Sequence, residues 1–113
     1  MKQVKAVIKP ERLDVVREAL KKAGCYHGIM ISDIIGQGTQ MGVTQAWRGE
    51  KYQLDLIEKV MIDLVVKDED VPVVKKVIVE NARTGEIGDG KIFVYNVEEV
   101  VRIRTGEEGE AAI

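Results

Sequence analysis

The chain has 113 residues, of which 45% are hydrophobic and 32% are charged, and its formal net charge at pH 7 is −2. This length and composition are typical of one globular domain, residues 1–113, and the weakly acidic balance argues against a nucleic-acid binder, which would need a basic face. No stretch approaches the roughly 20 apolar residues of a membrane span, so we expect no membrane insertion. The single cysteine, Cys25, offers no disulfide and favours a reducing compartment, the cytoplasm.

The first third of the chain predicts a strand, a helix and a second strand. Residues 2–8, KQVKAVI, alternate enough for a strand. Pro10 opens a helix that ends at Gly24, with apolar residues at helical spacing and two lysines in its last turn. After a turn that holds the cysteine and the only histidine, which we expect to be turn or packing residues, residues 28–35 predict a second strand.

The second half predicts the same strand–helix–strand order. Residues 59–66 form a third strand, residues 67–82 a helix whose acidic start suits the positive end of the helix dipole, and residues 91–97 a fourth strand. Residues 99–113 follow as a charged C-terminal loop and tail. Two βαβ units in succession favour an α+β, ferredoxin-like βαββαβ sandwich in which both helices cover one face of one sheet.

The third and fourth strands are apolar on both of their faces. Met61 and Val65 alternate with apolar residues of the opposite face, and Phe93 and Tyr95 do the same in the fourth strand. Because two helices cover only one face of a sheet, the other face would expose a large apolar patch unless another subunit covers it. We therefore expect a homo-oligomer, and the alternative is that loops and the tail cover this face.

The segment between the second and third strands, residues 36–55, is too long for a hairpin turn and has no stable hydrophobic period. Loops of this length inside compact domains are usually functional or disordered. The segment contains Trp47, Arg48 and Tyr52, and such side chains are common anchors of protein interfaces. We expect it to bind a partner, and the alternative is that these side chains fold back onto the domain.

A glycine-rich stretch, TGEIGDGKIFV, begins at Thr84, and its residues from Gly85 to Lys91 match the pattern G-x-x-x-x-G-K. A hydrolysing phosphate-binding loop of that pattern follows a strand and ends in a hydroxyl residue that holds magnesium. Here the stretch follows a helix, precedes a strand and has Ile92 in the hydroxyl position. We therefore interpret the match to a nucleotide-hydrolysing loop as accidental.

Phosphate binding of another kind fits the same residues. Gly88 and Gly90 free the backbone to present N–H groups in a concave nest, beside the charge of Lys91. Further on, Arg102 and Arg104 occur as R-I-R, and alternation in an extended segment would put both guanidinium groups on one side, where they suit bidentate phosphate contacts. The alternatives are that Gly-Asp-Gly is a plain turn and that the arginines form surface ion pairs.

Two long stretches, TGEIGDGKIFVYNV and VVRIRTGEEGEAAI, resemble the PII signal-transduction proteins of nitrogen metabolism. So do the opening KAVIKPERLDVVREAL and the central IIGQGTQMG and RGEKYQLDLIEKV, so that the resemblance covers essentially the whole chain in order. It implies a ferredoxin-like homotrimer that binds ATP or ADP in clefts between subunits and acts as a sensor, not as an enzyme. A small nucleotide-hydrolysing enzyme that uses the glycine-rich stretch is one alternative, and a PII-like regulator of a target outside nitrogen metabolism is another.

The resemblance also implies roles for individual residues. The residues that would bind the nucleotide are Met30, Gly36, Gly38, Val65, Gly88, Asp89, Gly90, Lys91, Arg102 and Arg104. The four from Gly88 to Lys91 would cradle the phosphates, and the two arginines would come from the neighbouring subunit. Gln40 would help to hold Mg²⁺ and 2-oxoglutarate beside ATP, and Lys59 would pair with a carboxylate of 2-oxoglutarate.

The segment 38–55 corresponds in this family to the T-loop, a flexible loop that docks onto target proteins. Arg48 lies where family members insert an arginine into an ammonium channel, and Tyr52 aligns with a tyrosine that some bacterial members have uridylylated. The resemblance therefore implies that the partner is an ammonium transporter or a nitrogen-metabolism enzyme. Through such an enzyme the protein would regulate glutamine synthetase or nitrogenase.

Overall fold

The computed structural model describes residues 1–37, 43–47, 50–54 and 56–113, with 43–47 and 50–54 described by their backbone. Its helices and strands are β1 (Lys2–Ile8), α1 (Leu13–Ala23), β2 (Met30–Gln37), β3 (Val43–Trp47), β4 (Glu50–Leu54), β5 (Leu56–Val66), α2 (Val71–Ala82) and β6 (Lys91–Asn96). Short 3₁₀ turns precede both helices, at Pro10–Arg12 and Asp68–Asp70, and another lies at Gly109–Ala112.

Four of the strands form one antiparallel sheet in the order β2–β5–β1–β6. Each long helix connects two strands of this sheet, and α1 and α2 pack against each other. The two helices share one hydrophobic core with the sheet, so they cover the same face of it. This confirms the ferredoxin-like βαββαβ sandwich.

The core lies between the helices and alternate residues of the two central strands. Side chains of a strand alternate between its faces, while those of a helix recur every three to four residues on one side. The buried apolar residues follow both periods: Val4, Ala6, Ile8, Val16, Leu20, Val60, Ile62, Leu64, Val66, Val74, Ile78 and Ala82. Each larger side chain in this set contributes about 1.5–3 kcal/mol through its removal from water.

The helices end where the sequence predicts. Gly24 takes a left-handed φ of 71° after α1, and its N–H donates to the carbonyl of Lys21 over 3.2 Å. The turn that follows brings Cys25 against the core, where burial and the nearby Asp70 carboxylate raise the pKa of its thiol. Cys25 is therefore a packing residue, as expected.

No helix in the described ranges is long and apolar enough to cross a membrane.

The segment between β2 and β5 contains a hairpin that the sequence pattern does not predict. Strand β3 pairs with β4 in an antiparallel register, and together they form a sheet of their own. The main sheet also extends further toward this segment than the pattern predicts, because β5 begins at Leu56 instead of residue 59. The last pair of the main sheet on this side is Gln37 with Leu56, so the segment leaves and re-enters the sheet at neighbouring positions.

The face of the sheet that the helices leave uncovered, called the open face here, carries both apolar and polar side chains. Gln3 donates a 2.8 Å hydrogen bond to the carboxylate of Asp63, and the ammonium of Lys5 lies 5.5 Å from the centre of the Tyr95 ring. Phe93 and Tyr95 are still 42% and 47% exposed, so the described residues do not cover this face fully. An exposed apolar surface of this kind is typical of an interface.

The C-terminal tail corrects one prediction. Residues 102–106, called the arginine turn here, form a turn and not the extended segment that the R-I-R alternation predicts. The N–H of Gly106 donates to the carbonyl of Arg102 over 2.7 Å, and the N–H of Arg102 donates to the carbonyl of Glu107 over 2.8 Å. An isolated antiparallel β-bridge between Val101 and Glu108 joins the residues on either side of this turn.

Candidate functional site

Residues 84–90, called the glycine loop here, connect α2 to β6 and lie directly against β1. Gly88 and Gly90 take φ values of 97° and 100°, a conformation that side chains strongly disfavour. A Cβ atom on Gly90 would lie 1.7 Å from the carbonyl oxygen of Val7. The absence of a side chain at Gly90 therefore allows the loop to approach the backbone of the strand.

The carboxylate of Asp89 turns back into its own loop. It accepts hydrogen bonds from the backbone N–H groups of Thr84 and Gly85, both over 2.9 Å, and from the Thr84 hydroxyl over 2.5 Å. These donors, the hydroxyl first among them, hold the pKa of the Asp89 carboxyl well below its usual range. Asp89 therefore fixes the shape of the loop, and its side chain is already occupied.

The connection between β1 and α1 reaches across to the same loop. Lys9 places its Nζ 2.9 Å from the hydroxyl of Thr84 and 3.3 Å from a carboxylate oxygen of Asp89. Arg12 donates two hydrogen bonds, of 2.9 and 2.6 Å, to the carbonyl oxygen of Asn81 at the end of α2. The sequence pattern singles out neither cation, because their partners lie about 70 residues further along the chain.

Lys59 joins β5 to the glycine loop from the open face. Its side chain is buried, with 8% of the residue exposed, and its ammonium donates to the carbonyl of Gly88. Gly36 lies beside it, since a Cβ on that glycine would be 3.6 Å from Cγ of Lys59. Within the described residues no carboxylate lies within 4.0 Å of this ammonium. A buried cation without an acidic partner favours the binding of an anion.

The structure divides the remaining expected nucleotide residues between two ends of the sheet. Lys91 begins β6 next to the glycine loop and pairs with Val7. Val65 lies near the other end of β5, about 20 Å from Lys59 at the rise of a strand. Met30 pairs with Asp63 and is close to that second end. One chain therefore does not bring these residues into one pocket.

Within the described residues, neither of the two arginines forms a hydrogen bond or ion pair with the glycine loop. Arg102 forms an ion pair with Glu107 over 2.8 Å and donates to the carbonyl of Ala111 over 3.2 Å. Arg104 lies exposed within the arginine turn, next to Ile103, which is 100% exposed. The surface ion pair that the sequence offers as an alternative is thus present for Arg102.

Several expected site residues lie outside the described part of the chain. Gly38, Gln40 and Arg48 are among them, and Tyr52 belongs to β4, of which the backbone alone is described. Within the described residues no group of three or more acidic, histidine or cysteine side chains is arranged to hold a metal ion.

One hollow borders the glycine loop, and a second is lined by Lys59, which contacts that loop. One, of about 260 Å³, lies between the end of α2 and β1 and is lined by Ile78, Arg83 and Lys91 among others. The other, of about 610 Å³, includes Lys59 together with the acidic Asp33 and Glu58. The two carboxylates make the second hollow unfavourable for an anion, so an anionic ligand is better accommodated on the glycine-loop side of Lys59.

The fold and the site together define a class: a small ferredoxin-like domain with a pre-formed glycine loop beside the cationic side chains of Lys9, Lys59 and Lys91. The chain matches the family model described as "Nitrogen regulatory protein P-II" over residues 1–107, and it belongs to that family. It is 51% identical over 113 residues to "Nitrogen regulatory protein P-II 2" of Methanothermobacter thermautotrophicus, an alignment that covers 100% of this chain and 97% of that relative.

Bacterial relatives are similar to the same extent. Over 113 residues the chain is 50% identical to "Nitrogen regulatory protein P-II" of Pasteurella multocida and 49% identical to "Nitrogen regulatory protein P-II 1" of Escherichia coli, with 100% of each chain covered. These relatives are named as regulatory proteins. The chain is accordingly a nitrogen regulatory protein of the PII family and not an enzyme.

Proposed function

We propose that this protein is a nitrogen sensor that binds ATP or ADP in clefts between the subunits of a homotrimer. The observation that carries the proposal is the glycine loop, whose shape is fixed by Asp89 and which lies against the buried ammonium of Lys59. A loop pre-organised in this way binds phosphate without first being ordered, and this raises affinity. Lys91, at the start of β6, adds a further charge at the end of the loop.

The division of the site between two ends of the sheet supports a cleft shared by two subunits. The glycine loop and Lys91 would bind the phosphates, while Met30 and Val65 of a neighbouring subunit would contact the base and sugar. The partly exposed apolar residues of the open face, such as Phe93 and Tyr95, supply a surface on which copies of the chain can assemble. Arg102 and Arg104, which form no hydrogen bond or ion pair with the glycine loop of their own chain, would then contact a neighbour's nucleotide.

We further propose that 2-oxoglutarate binds beside ATP with Mg²⁺. Lys59 is the cation for one carboxylate of this ligand, and Gln40 helps to hold the metal ion and the ligand. An anion at Lys59 would compete with its present contact to the Gly88 carbonyl. Binding of 2-oxoglutarate would therefore change the contact between β5 and the glycine loop.

The state of the ligands would reach target proteins through residues 38–55, the T-loop. Strand β5 runs without a break from the core to Leu56, where this segment joins the sheet. Ligands that favour one arrangement of the segment shift its population by their difference in affinity for the two arrangements. Arg48 and Tyr52 would contact the target, an ammonium transporter or a nitrogen-metabolism enzyme such as those that control glutamine synthetase or nitrogenase. Because these ligands are cytoplasmic metabolites, we place the protein in the cytoplasm.

Calorimetry on the full chain tests the proposal. ATP should bind the wild-type protein, and 2-oxoglutarate should bind measurably only when Mg²⁺ and ATP are already present. Native mass measurement should give three times the mass of the chain. A monomer that binds no ATP would overturn the nucleotide site, and 2-oxoglutarate binding that is independent of ATP would remove the nitrogen-sensing half of the proposal. Rapid turnover of labelled ATP would favour the alternative of a nucleotide-hydrolysing enzyme.

A further inference from the structure

Two cations in the connection between β1 and α1 contact the glycine loop and the end of α2 that precedes it. Lys9 contacts three residues of the loop: the Thr84 hydroxyl at 2.9 Å, the Asp89 carboxylate at 3.3 Å and the Glu86 carboxylate at 3.7 Å. Arg12 binds the carbonyl of Asn81, three residues before the loop. None of these residues belongs to the buried hydrophobic core. The contacts of Lys9 therefore hold the loop, and those of Arg12 hold the end of α2 from which the loop begins.

The charge of Asp89 makes this connection important for a site that binds anions. A carboxylate within a phosphate-binding loop repels the ligand unless its charge is compensated. Here the carboxylate faces two backbone N–H groups and a hydroxyl, and the ammonium of Lys9 supplies the compensating charge. The side chains of Lys9 and Asp89 are 14% and 24% exposed, so salt screens this pair less than it screens a pair in open solvent.

We propose that Lys9 is a positioning residue for the polyphosphate group of a nucleoside di- or triphosphate. It fixes and neutralises Asp89, and through Asp89 it keeps the glycine loop in the shape that receives phosphate. This inference rests on the proposed function, since it assumes that the glycine loop binds the phosphates. Lys9 acts through Asp89 and does not touch the ligand itself, and this distinguishes it from Lys91.

A double-mutant cycle tests this role. Lys9→Met should weaken ATP binding about tenfold in the otherwise wild-type chain, because the Asp89 charge is no longer compensated. In an Asp89→Asn background, the same Lys9→Met change should alter ATP affinity by less than about threefold. Lys9→Arg keeps the charge and should restore the affinity. Lys2→Met is the matched control, since Lys2 begins β1, the strand that Lys9 follows, and pairs with Asp68 at the other end of that strand, over 3.4 Å.

The ligand series separates positioning of the phosphates from general loosening of the site. ATP and AMP affinities are measured by calorimetry and by competition on the full-length variants, each of which is first checked for wild-type circular dichroism. Loss of affinity for ATP should exceed that for AMP in Lys9→Met. If that variant does not fold, Thr84→Val removes a donor to Asp89 and should show the same ATP-selective loss.

The outcomes distinguish the two proposals. A wild-type protein that binds no ATP overturns the proposed function itself. A wild-type protein that binds ATP, together with a Lys9→Met variant of unchanged affinity, overturns the positioning role alone. An equal loss in both backgrounds of the cycle also overturns it, because Lys9 would then contact the ligand directly.

Discussion

The glycine loop and the arginine turn are both rich in groups that bind phosphate, but the chain holds them in different ways. The glycine loop is fastened to three other parts of the domain, through Lys9, Lys59 and the backbone of Val7. The arginine turn is closed on itself, since Arg102 bonds to Glu107 and to the carbonyl of Ala111 within the same tail. A single chain thus pre-forms the glycine-loop half of the proposed phosphate site. The arginine half depends on how the tail packs against a neighbouring subunit.

The largest expected effect comes from filling the space between the glycine loop and β1. Gly90→Ala places a Cβ 1.7 Å from the Val7 carbonyl oxygen at a φ of 100°, so the loop must leave the strand. We expect the free energy of unfolding to fall by more than about 3 kcal/mol. Urea unfolding at one fixed protein concentration measures it.

The matched control lies in the arginine turn. Gly106 has a φ of 74°, and a Cβ there would meet nothing within 4 Å, so Gly106→Ala carries backbone strain alone. We expect it to cost about 1 kcal/mol. Equal losses of unfolding free energy in Gly90→Ala and Gly106→Ala would show that the glycine loop is not held against β1. The contrast drawn between the glycine loop and the arginine turn would then be wrong.

The next effect concerns ligand affinity. Lys91→Ala removes a charge-assisted contact from the proposed phosphate site and should weaken ATP binding by about 1.5–3 kcal/mol. Calorimetry measures the change, with Lys75→Ala, on the exposed side of α2, as the control that should bind ATP like the wild type. Unchanged affinity in Lys91→Ala would contradict the assignment of this residue.

Substitution of Arg12 and of Arg102 compares how much the β1–α1 connection and the tail contribute to stability. Arg12→Ala leaves the Asn81 carbonyl at the end of α2 without its two charged donors and should cost about 2 kcal/mol. Arg102→Ala removes an exposed ion pair within the tail and should cost less than about 1 kcal/mol. Thermal and urea unfolding of both variants test this order, and the reverse order would mean that the tail, and not the β1–α1 connection, braces the domain.

The smallest effect is a dependence on pH. Because the pKa of Asp89 is lowered in the folded protein, this carboxylate stabilises the fold above its unfolded pKa, near 3.9, and the stabilisation is lost as the pH falls below about 4. The free energy of unfolding of Asp89→Asn should therefore fall less steeply than that of the wild type between about pH 5 and pH 3.

A urea series at stepped pH measures both slopes. Asp68→Asn gives a reference, since the N-terminal ammonium also lowers the pKa of that carboxyl, at a position away from the glycine loop. Parallel curves for the wild type and Asp89→Asn would refute the role of the Asp89 carboxylate in holding the loop.

The sequence predicts the helices and the strands of the main sheet well, because these elements carry a clear period. Val60, Ile62, Leu64 and Val66 alternate along β5, and the β1 residues opposite the first three of them are buried with them. The β3–β4 hairpin has no such run of alternating apolar residues, because its sequence is mostly polar, so the pattern gives no signal for it.

The sequence predicts the parts of the site whose backbone conformation requires glycine. It does not predict the parts that depend on side chains far apart in the chain. Gly88 and Gly90 indicate a loop of special conformation, and the structure has both at positive φ. In contrast, the R-I-R pattern misleads because Gly106, with a φ of 74°, closes a turn that overrides alternation. Lys9 carries no local signal, since its role depends on a residue 75 positions away.

The pairing of Gln37 with Leu56 has a consequence for the length of the segment between them. Paired residues in an antiparallel ladder stand about 5 Å apart, so the sheet clamps both ends of the intervening insert. The entropy of closing such an insert grows only slowly with its length. A change in the number of residues between these two positions should therefore cost the sandwich little stability.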